Sequence, residues 1–138
     1  MEITAVHPLF IHFPIALLSC GYLFDILFIV SKKDEFESVG WWNLCLGMIS
    51  SFFSLITGFI ADWEYGHFEN PFPVFDTHGS TQLISVLLFT VMIVWRWRLN
   101  KNLPKTVGAV SGYLLLGACA TGLLFYGGHL GAILAGRL

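Results

Sequence analysis

The stretch LFIHFPIALLSCGYLFDILFIV, residues 9–30, decides the fold of this chain. It is 22 residues long, and a helix needs about 20 mainly apolar residues to cross the hydrocarbon core of a bilayer. His12 and Asp25 are its only acidic or basic residues. Such side chains are costly at membrane depth and usually face the protein interior. The stretch therefore predicts a membrane-spanning helix, and it raises the question of what its histidine does.

The composition of the whole chain indicates the same class of protein. Of 138 residues, 56% are hydrophobic and only 12% are charged, and the mean hydropathy is +0.74. A soluble domain of this size needs a more charged surface, so we expect an integral membrane protein with one domain, residues 1–138. The net charge is −2, and without a basic stripe nucleic acid is not an expected partner. The three cysteines lack C-x-x-C-H spacing, which excludes c-type haem attachment, and we expect small apolar side chains.

Four apolar runs have about the length of a membrane span. They comprise residues 9–30, 42–61, 78–96 and 107–126. Because the connecting segments are short, neighbouring helices should be antiparallel, which predicts an all-α bundle of four helices running up-down-up-down. Tryptophans lie at the margins of the runs, where their rings prefer the membrane interface. Glycines in the fourth run allow close contact between helices.

The distribution of positive charge predicts an orientation. Six of the seven lysines and arginines fall in the connections after the first and third runs, and Arg137 is the exception. By the positive-inside rule those connections face the cytoplasm, and both termini face outward. The segment before the first run contains Glu2 and no lysine or arginine, so we expect no cleaved signal peptide. The expected location is a bacterial inner membrane with external termini.

All five histidines fall on the external side in this topology. His12 and His78 each lie eighteen residues from the cytoplasmic margin of their run, about 27 Å along a helix. His7 and His129 lie 23 and 22 residues from theirs, about 33–35 Å. The first and third helices are diagonal, and cofactor sites in bundles use facing core side chains. We therefore expect haem b with His12 and His78 as iron ligands, and His7 and His129 as further cofactor-binding candidates.

Several of these residues also have a plainer structural interpretation. His67 lies in a polar loop, where a surface role is expected. The proline after His7 should move this residue out of helical geometry, leaving a rim ligand, a hydrogen-bond donor or a cap. The glycine pair at residues 127–128 predicts a helix break before His129. Asp25 lies close to the cytoplasmic margin, so we expect a solvated carboxylate at the interface.

One family shares these features along the whole chain. The shared features are the opening HPLFIHFPIALL at residues 7–18, Asp25, an Asp-Trp at residues 62–63, a histidine at residue 78 and Gly-Gly-His-Leu at residues 127–130. In these features the chain resembles the bacterial membrane family known as domain-of-unknown-function 2231. It departs from the family after Leu130, where Gly131 and Ala132 replace the usual Val-Tyr.

That family is distantly similar to the four-helix b-type cytochromes. The resemblance therefore implies haem and electron transfer, with a cytochrome c or a quinone as a redox partner. Residue by residue, the implied candidates for haem binding are His7, His12, His78 and His129.

Three functions remain open on the sequence alone. The first is a haem-binding electron-transfer protein or subunit near the external face. The second is a transition-metal site for zinc or non-haem iron, since acidic residues share the histidine side and mixed imidazole and carboxylate shells suit these metals. Those acidic residues are Glu2, Asp62, Glu64, Glu69 and Asp76. The third is a non-catalytic anchoring or assembly subunit of a larger membrane complex. No nucleophile, phosphate-loop or H-E-x-x-H motif occurs, so we do not expect an enzyme on its own.

Overall fold

The computed structural model describes the backbone of residues 7–65, 77–134 and 136, and their side chains except those of residues 7–9 and 61–65. It contains four helices. These are α1 (His7–Ser31), α2 (Asp34–Tyr65), α3 (His78–Arg98) and α4 (Val107–Leu134). All four are long and apolar enough to cross a membrane. The described residues contain no strand. The all-α architecture expected from the apolar runs is confirmed.

Two helix boundaries differ from the prediction by eight residues each, the start of α2 and the end of α4. The second helix was expected from residue 42, yet α2 begins at Asp34, so only Lys32 and Lys33 separate it from α1. Its first turn holds three acidic residues, which are favourable at the positive end of a helix. The break expected at residues 127–128 is wrong, because α4 continues to Leu134. In a bilayer each backbone group must find a partner within the protein, so glycines inside a span stay helical.

The helices form two antiparallel hairpins that close into a ring. Helix α1 packs chiefly on α2 and α3 packs chiefly on α4, while smaller contacts join α2 to α3 and α1 to α4. Glycines set the close approach of α1 and α2. A Cβ added to Gly21 would come within 2.8 Å of Leu44, and one added to Gly47 would come within 2.8 Å of Leu18. In this ring α1 and α3 are diagonal partners, as the predicted topology requires.

Each helix buries one line of residues at heptad spacing and exposes apolar side chains elsewhere. The core cluster consists of Leu18, Leu44, Phe89, Met92, Leu103, Tyr113, Ala120 and Leu124. Large apolar side chains are exposed on all four helices, for example Phe13, Phe52, Leu87 and Leu115. Cys20 and Cys119 also face outward, and neither forms a disulfide. An apolar exterior is what a bundle surrounded by lipid presents.

The two ends of the bundle differ in chemistry. We call one the basic end, where α1 meets α2 and α3 meets α4. Its charged side chains include Lys32, Lys33, Arg98, Lys101 and Lys105. The other is the histidine end, where α1 and α3 begin and α4 finishes. That the basic end faces the cytoplasm remains a prediction, made from the positive charges of the two connections.

Candidate functional site

At the histidine end, the ring of His78 is fixed against α4. His78 is the first residue of α3 and is half-buried. Its Nδ1 donates to the carbonyl oxygen of Gly127 at 2.6 Å. A carbonyl can only accept, so Nδ1 carries the proton, and in the neutral ring Nε2 then holds the lone pair. A Cβ added to Gly131 would come within 2.8 Å of this ring. Two glycines of α4 therefore provide the contact surface for the imidazole.

A ladder of polar contacts fixes the rotation of α3 below His78. Gln82 Nε2 donates to the carbonyl oxygen of Leu124 at 3.0 Å, and Ser85 Oγ donates to that of Ala120 at 2.8 Å. Hydrogen bonds from side chains across a helix pair are characteristic of association within membranes. They hold His78 on the face of α3 that also carries the buried residues Thr81 and Ser85, so the ring belongs to the inward face of the bundle.

The other predicted ligands have different positions. His12 is exposed, because the buried line of α1 contains Pro14, Leu18, Gly21 and Asp25 and successive residues turn by about 100°. His129 is also exposed, on the face of α4 opposite Gly127. The structure therefore places His78 on an inward face, with His12 and His129 on outward ones. The predicted His12–His78 pair does not share one interior face.

His7 occupies the first position of α1. It was expected outside helical geometry, yet its backbone is helical, and the following proline fits the first turn, where no intrahelical donor is needed. Its side chain lies outside the described residues, and so does the whole of His67. Among the side chains that are described, no group of three or more His, Cys, Asp or Glu could hold a metal ion.

The acidic residues proposed for a transition-metal site cannot be placed. Their side chains, at residues 2, 62, 64, 69 and 76, lie outside the described part of the chain.

Near the basic end, the interior contains a charged network. Asp25 of α1 and Arg96 of α3 are both 0% exposed, and Arg96 Nη1 donates to Asp25 Oδ1 at 2.6 Å. Tyr113 of α4 donates its hydroxyl to Asp25 Oδ2, also at 2.6 Å. The carboxylate thus binds one charged and one neutral donor. This network, Asp25–Arg96–Tyr113, joins three helices inside the bundle.

Arg96 extends the network to α2 and to the connection before α4. Its Nη2 donates to the backbone carbonyls of Glu37 and Lys101 at 2.8 Å each, and its Nε donates to the same Lys101 carbonyl at 3.1 Å. Glu37 in turn accepts the backbone N–H of Leu103 through Oε1 at 2.6 Å. The ring of Trp41 lies 5.5 Å from the guanidinium carbon. Arg96 therefore links α1 and α2 to the α3–α4 connection, and Asp25 extends the network to Tyr113 of α4.

The expected solvated position of Asp25 is wrong. The carboxylate is buried, and Gly40 of α2 leaves the space for Oδ1, which a Cβ at that position would overlap. Arg96 was counted among the cations of the connection, but it lies inside α3 and turns inward. An acid in one apolar run and a base in another, both toward the same end, was the sequence signal that could have predicted this pair.

A four-helix bundle with an apolar exterior, four span-length helices and polar contacts inside is an integral membrane protein. The sequence profile of the family described as "Predicted membrane protein (DUF2231)" matches residues 4–138, so the chain belongs to this family. The match confirms the resemblance drawn from the opening motif, and the likeness to cytochromes remains a prediction. No curated protein matches the chain, and no solved structure matches it.

Proposed function

We propose that this protein is a membrane haem protein of the b-cytochrome type, in which His78 and His7 would hold the haem iron. Haem b held by two imidazoles would supply one-electron transfer. The observation that carries the proposal is the geometry of His78. Its Nδ1–H is bound by the Gly127 carbonyl, which orients the ring, and Nε2 would be the atom that binds iron. Metal-binding histidines usually have such a second hydrogen bond.

The rotation of α1 favours His7 over His12 as the second ligand. His7 lies seven and fourteen residues before Pro14 and Gly21, which are both buried, so it occupies a position on the inward line of the helix. His12 lies on the opposite face and is exposed. This favours His7 among the three candidate histidines on α1 and α4 as the partner for His78.

The contact between Asp25 and Arg96 fixes the relative height of the two diagonal helices, α1 and α3. This height also favours His7 as the partner of His78. Both helices run from the histidine end to the basic end. Counted back from this contact, His7 and His78 each lie eighteen residues away, about 27 Å along their helices. Counting instead from Val30, the last residue of the first apolar run, places His12 level with His78. The contact between Asp25 and Arg96 is the better reference, because it does not depend on an estimated helix end.

With this site we propose an electron-transfer role near the external face, exchanging electrons with a cytochrome c or a quinone. The protein would work as such or as a subunit of a larger membrane complex, in the inner membrane with both termini external. The support for the orientation is the cluster of cations at the basic end.

A transition-metal site for zinc or non-haem iron is the second candidate function. It is favoured by the sequence on the external side of the predicted topology, where Arg137 is the one lysine or arginine. Haem propionates commonly bind cationic side chains, whereas a bare metal ion needs none. A third candidate is a non-catalytic anchoring subunit, favoured by the complete pairing of the Asp25–Arg96–Tyr113 network.

An absorption spectrum of the detergent-purified protein, produced with ample haem, tests the proposal. We expect a Soret band, sharp bands on reduction and one haem per site. His78→Ala should abolish them, whereas the matched control His129→Ala, from an outward face, should retain them. Free imidazole should restore the spectrum of His78→Ala, which separates ligand loss from misfolding. Stoichiometric zinc or iron without porphyrin would select the second candidate, and neither metal nor pigment would leave the anchoring role.

A further inference from the structure

A groove of about 390 Å³ opens at the basic end. It lies between the end of α1, the first turn of α2, the α3–α4 connection and the first turn of α4. Phe28 and Val110 line it from within the membrane spans, whereas Lys32, Asp34 and Lys105 line it beyond or at their ends. The groove therefore crosses the level at which hydrocarbon gives way to headgroups.

Its charged side chains are arranged as two cations and one available anion. Lys32 closes α1 with a positive φ of 58°, its Nζ lies 5.9 Å from the ring centre of Phe28, and its side chain is exposed. Lys105 and Asp34 are exposed as well. Glu37 also lines the groove, but its Oε1 already accepts the Leu103 N–H. A ligand thus meets two ammonium groups and one carboxylate beside an apolar wall.

We propose that this groove binds a phospholipid whose headgroup is phosphoethanolamine. The phosphate would lie between Lys32 and Lys105, the primary ammonium would bind Asp34, and an acyl chain would follow Phe28 and Val110. Basic pockets between membrane helices bind lipid phosphates. The added carboxylate makes the site complementary to a zwitterion, and the apolar wall is of use only to a ligand with a hydrocarbon chain.

Other sources of the same phosphate fit less well. Inorganic phosphate has no chain for Phe28 and no cation for Asp34. A phosphatidylglycerol headgroup lacks a cation, so it would bring its negative charge close to Asp34 without compensation. A choline headgroup keeps the positive charge but has no N–H to donate to the carboxylate. The proposal therefore predicts an order of affinity with phosphatidylethanolamine first.

The order can be measured by native mass spectrometry of the full chain titrated with each lipid in detergent micelles. Phosphatidylethanolamine should bind about fivefold more tightly than phosphatidylcholine or phosphatidylglycerol of the same chains. Lys32→Gln and Lys105→Gln should each weaken it about fivefold. Lys33→Gln is the matched control, because Lys33 is the exposed neighbour that does not line the groove. Asp34→Asn should remove the preference over phosphatidylcholine, and its control Glu35→Gln should keep it.

Three results would overturn the proposal. These are equal binding of the three lipids by the unmodified protein, equal effects of Lys32→Gln and Lys33→Gln, and displacement of the lipid by millimolar inorganic phosphate. Helix content from circular dichroism, measured on each variant, must match that of the parent chain. If a lysine variant loses its fold, a competition experiment on the unmodified protein replaces it. Soluble phosphoethanolamine, which has no acyl chains, should not displace the bound lipid.

Discussion

Neutralising one member of the Asp25–Arg96 pair should destabilise the bundle far more than neutralising both. In Asp25→Asn the guanidinium of Arg96 stays buried, at 0% exposure, without its counter-charge. Breaking a buried pair by removing one partner costs about 3–5 kcal/mol, whereas replacing both charges is often close to neutral. We therefore expect Asp25→Asn and Arg96→Gln each to lower the free energy of unfolding by about 3–5 kcal/mol. The double variant should lose clearly less than the sum, because no unpaired charge remains.

The assay is equilibrium unfolding in mixed micelles with increasing dodecyl sulfate, followed by helix content. Lys33→Gln, an exposed cation at the same end, is the control and should change the free energy by less than about 0.5 kcal/mol. The comparison of the single and double variants gives the coupling energy directly. If each single variant cost less than about 1 kcal/mol, or if the two effects simply added, the pair would not be the interior bond described here.

Three further outcomes follow from the same region. Gly40→Ala places a Cβ on the carboxylate oxygen of Asp25 and should cost about 1–3 kcal/mol in the same unfolding assay. The control Gly122→Ala, whose Cβ would have nothing within 4 Å, should be neutral or stabilising. Equal effects of the two variants would contradict the described packing of Gly40 against Asp25. Tyr113→Phe removes the donor to Oδ2 and should cost about 1–2 kcal/mol, and no loss would show that this bond is absent. Lys33→Cys, in a chain without its native cysteines, should react with an impermeant maleimide only from the cytoplasmic side in sealed vesicles; external labelling would reverse the orientation.

Hydropathy and charge were sufficient to predict the fold class. A span-length apolar run is a strong signal because lipid leaves a helix few alternatives, and α1 and α3 begin and end within two residues of the predicted runs. Helix ends outside hydrocarbon were harder. Helix α2 begins with the acidic turn at Asp34, eight residues before the apolar run begins. Hydropathy does not predict this start, because the turn is polar. The glycine pair near His129 was interpreted with the rules for water, where it ends helices, and those rules do not hold inside a span.

The site was predicted less completely, because depth along a helix was considered without rotation around it. Counting residues from an estimated margin paired His12 with His78, but a ligand must also face its partner. The proposal of His7 instead depends on its heptad spacing with Pro14 and Gly21. Asp25 was predicted to be solvated for a similar reason. Its burial depends on Arg96 and Gly40, which lie on other helices, and the sequence of α1 alone does not contain this information.

The matched pair His7→Ala and His12→Ala tests the central claim most directly, by the reduced-minus-oxidised spectrum of each purified variant. Both residues lie on α1. His12 is exposed, whereas His7 lies seven residues before the buried Pro14. We expect loss of the haem spectrum in His7→Ala, its recovery on addition of free imidazole, and an unchanged spectrum in His12→Ala. An unchanged spectrum in His7→Ala together with loss in His12→Ala would contradict the assignment of the inward face as the binding site.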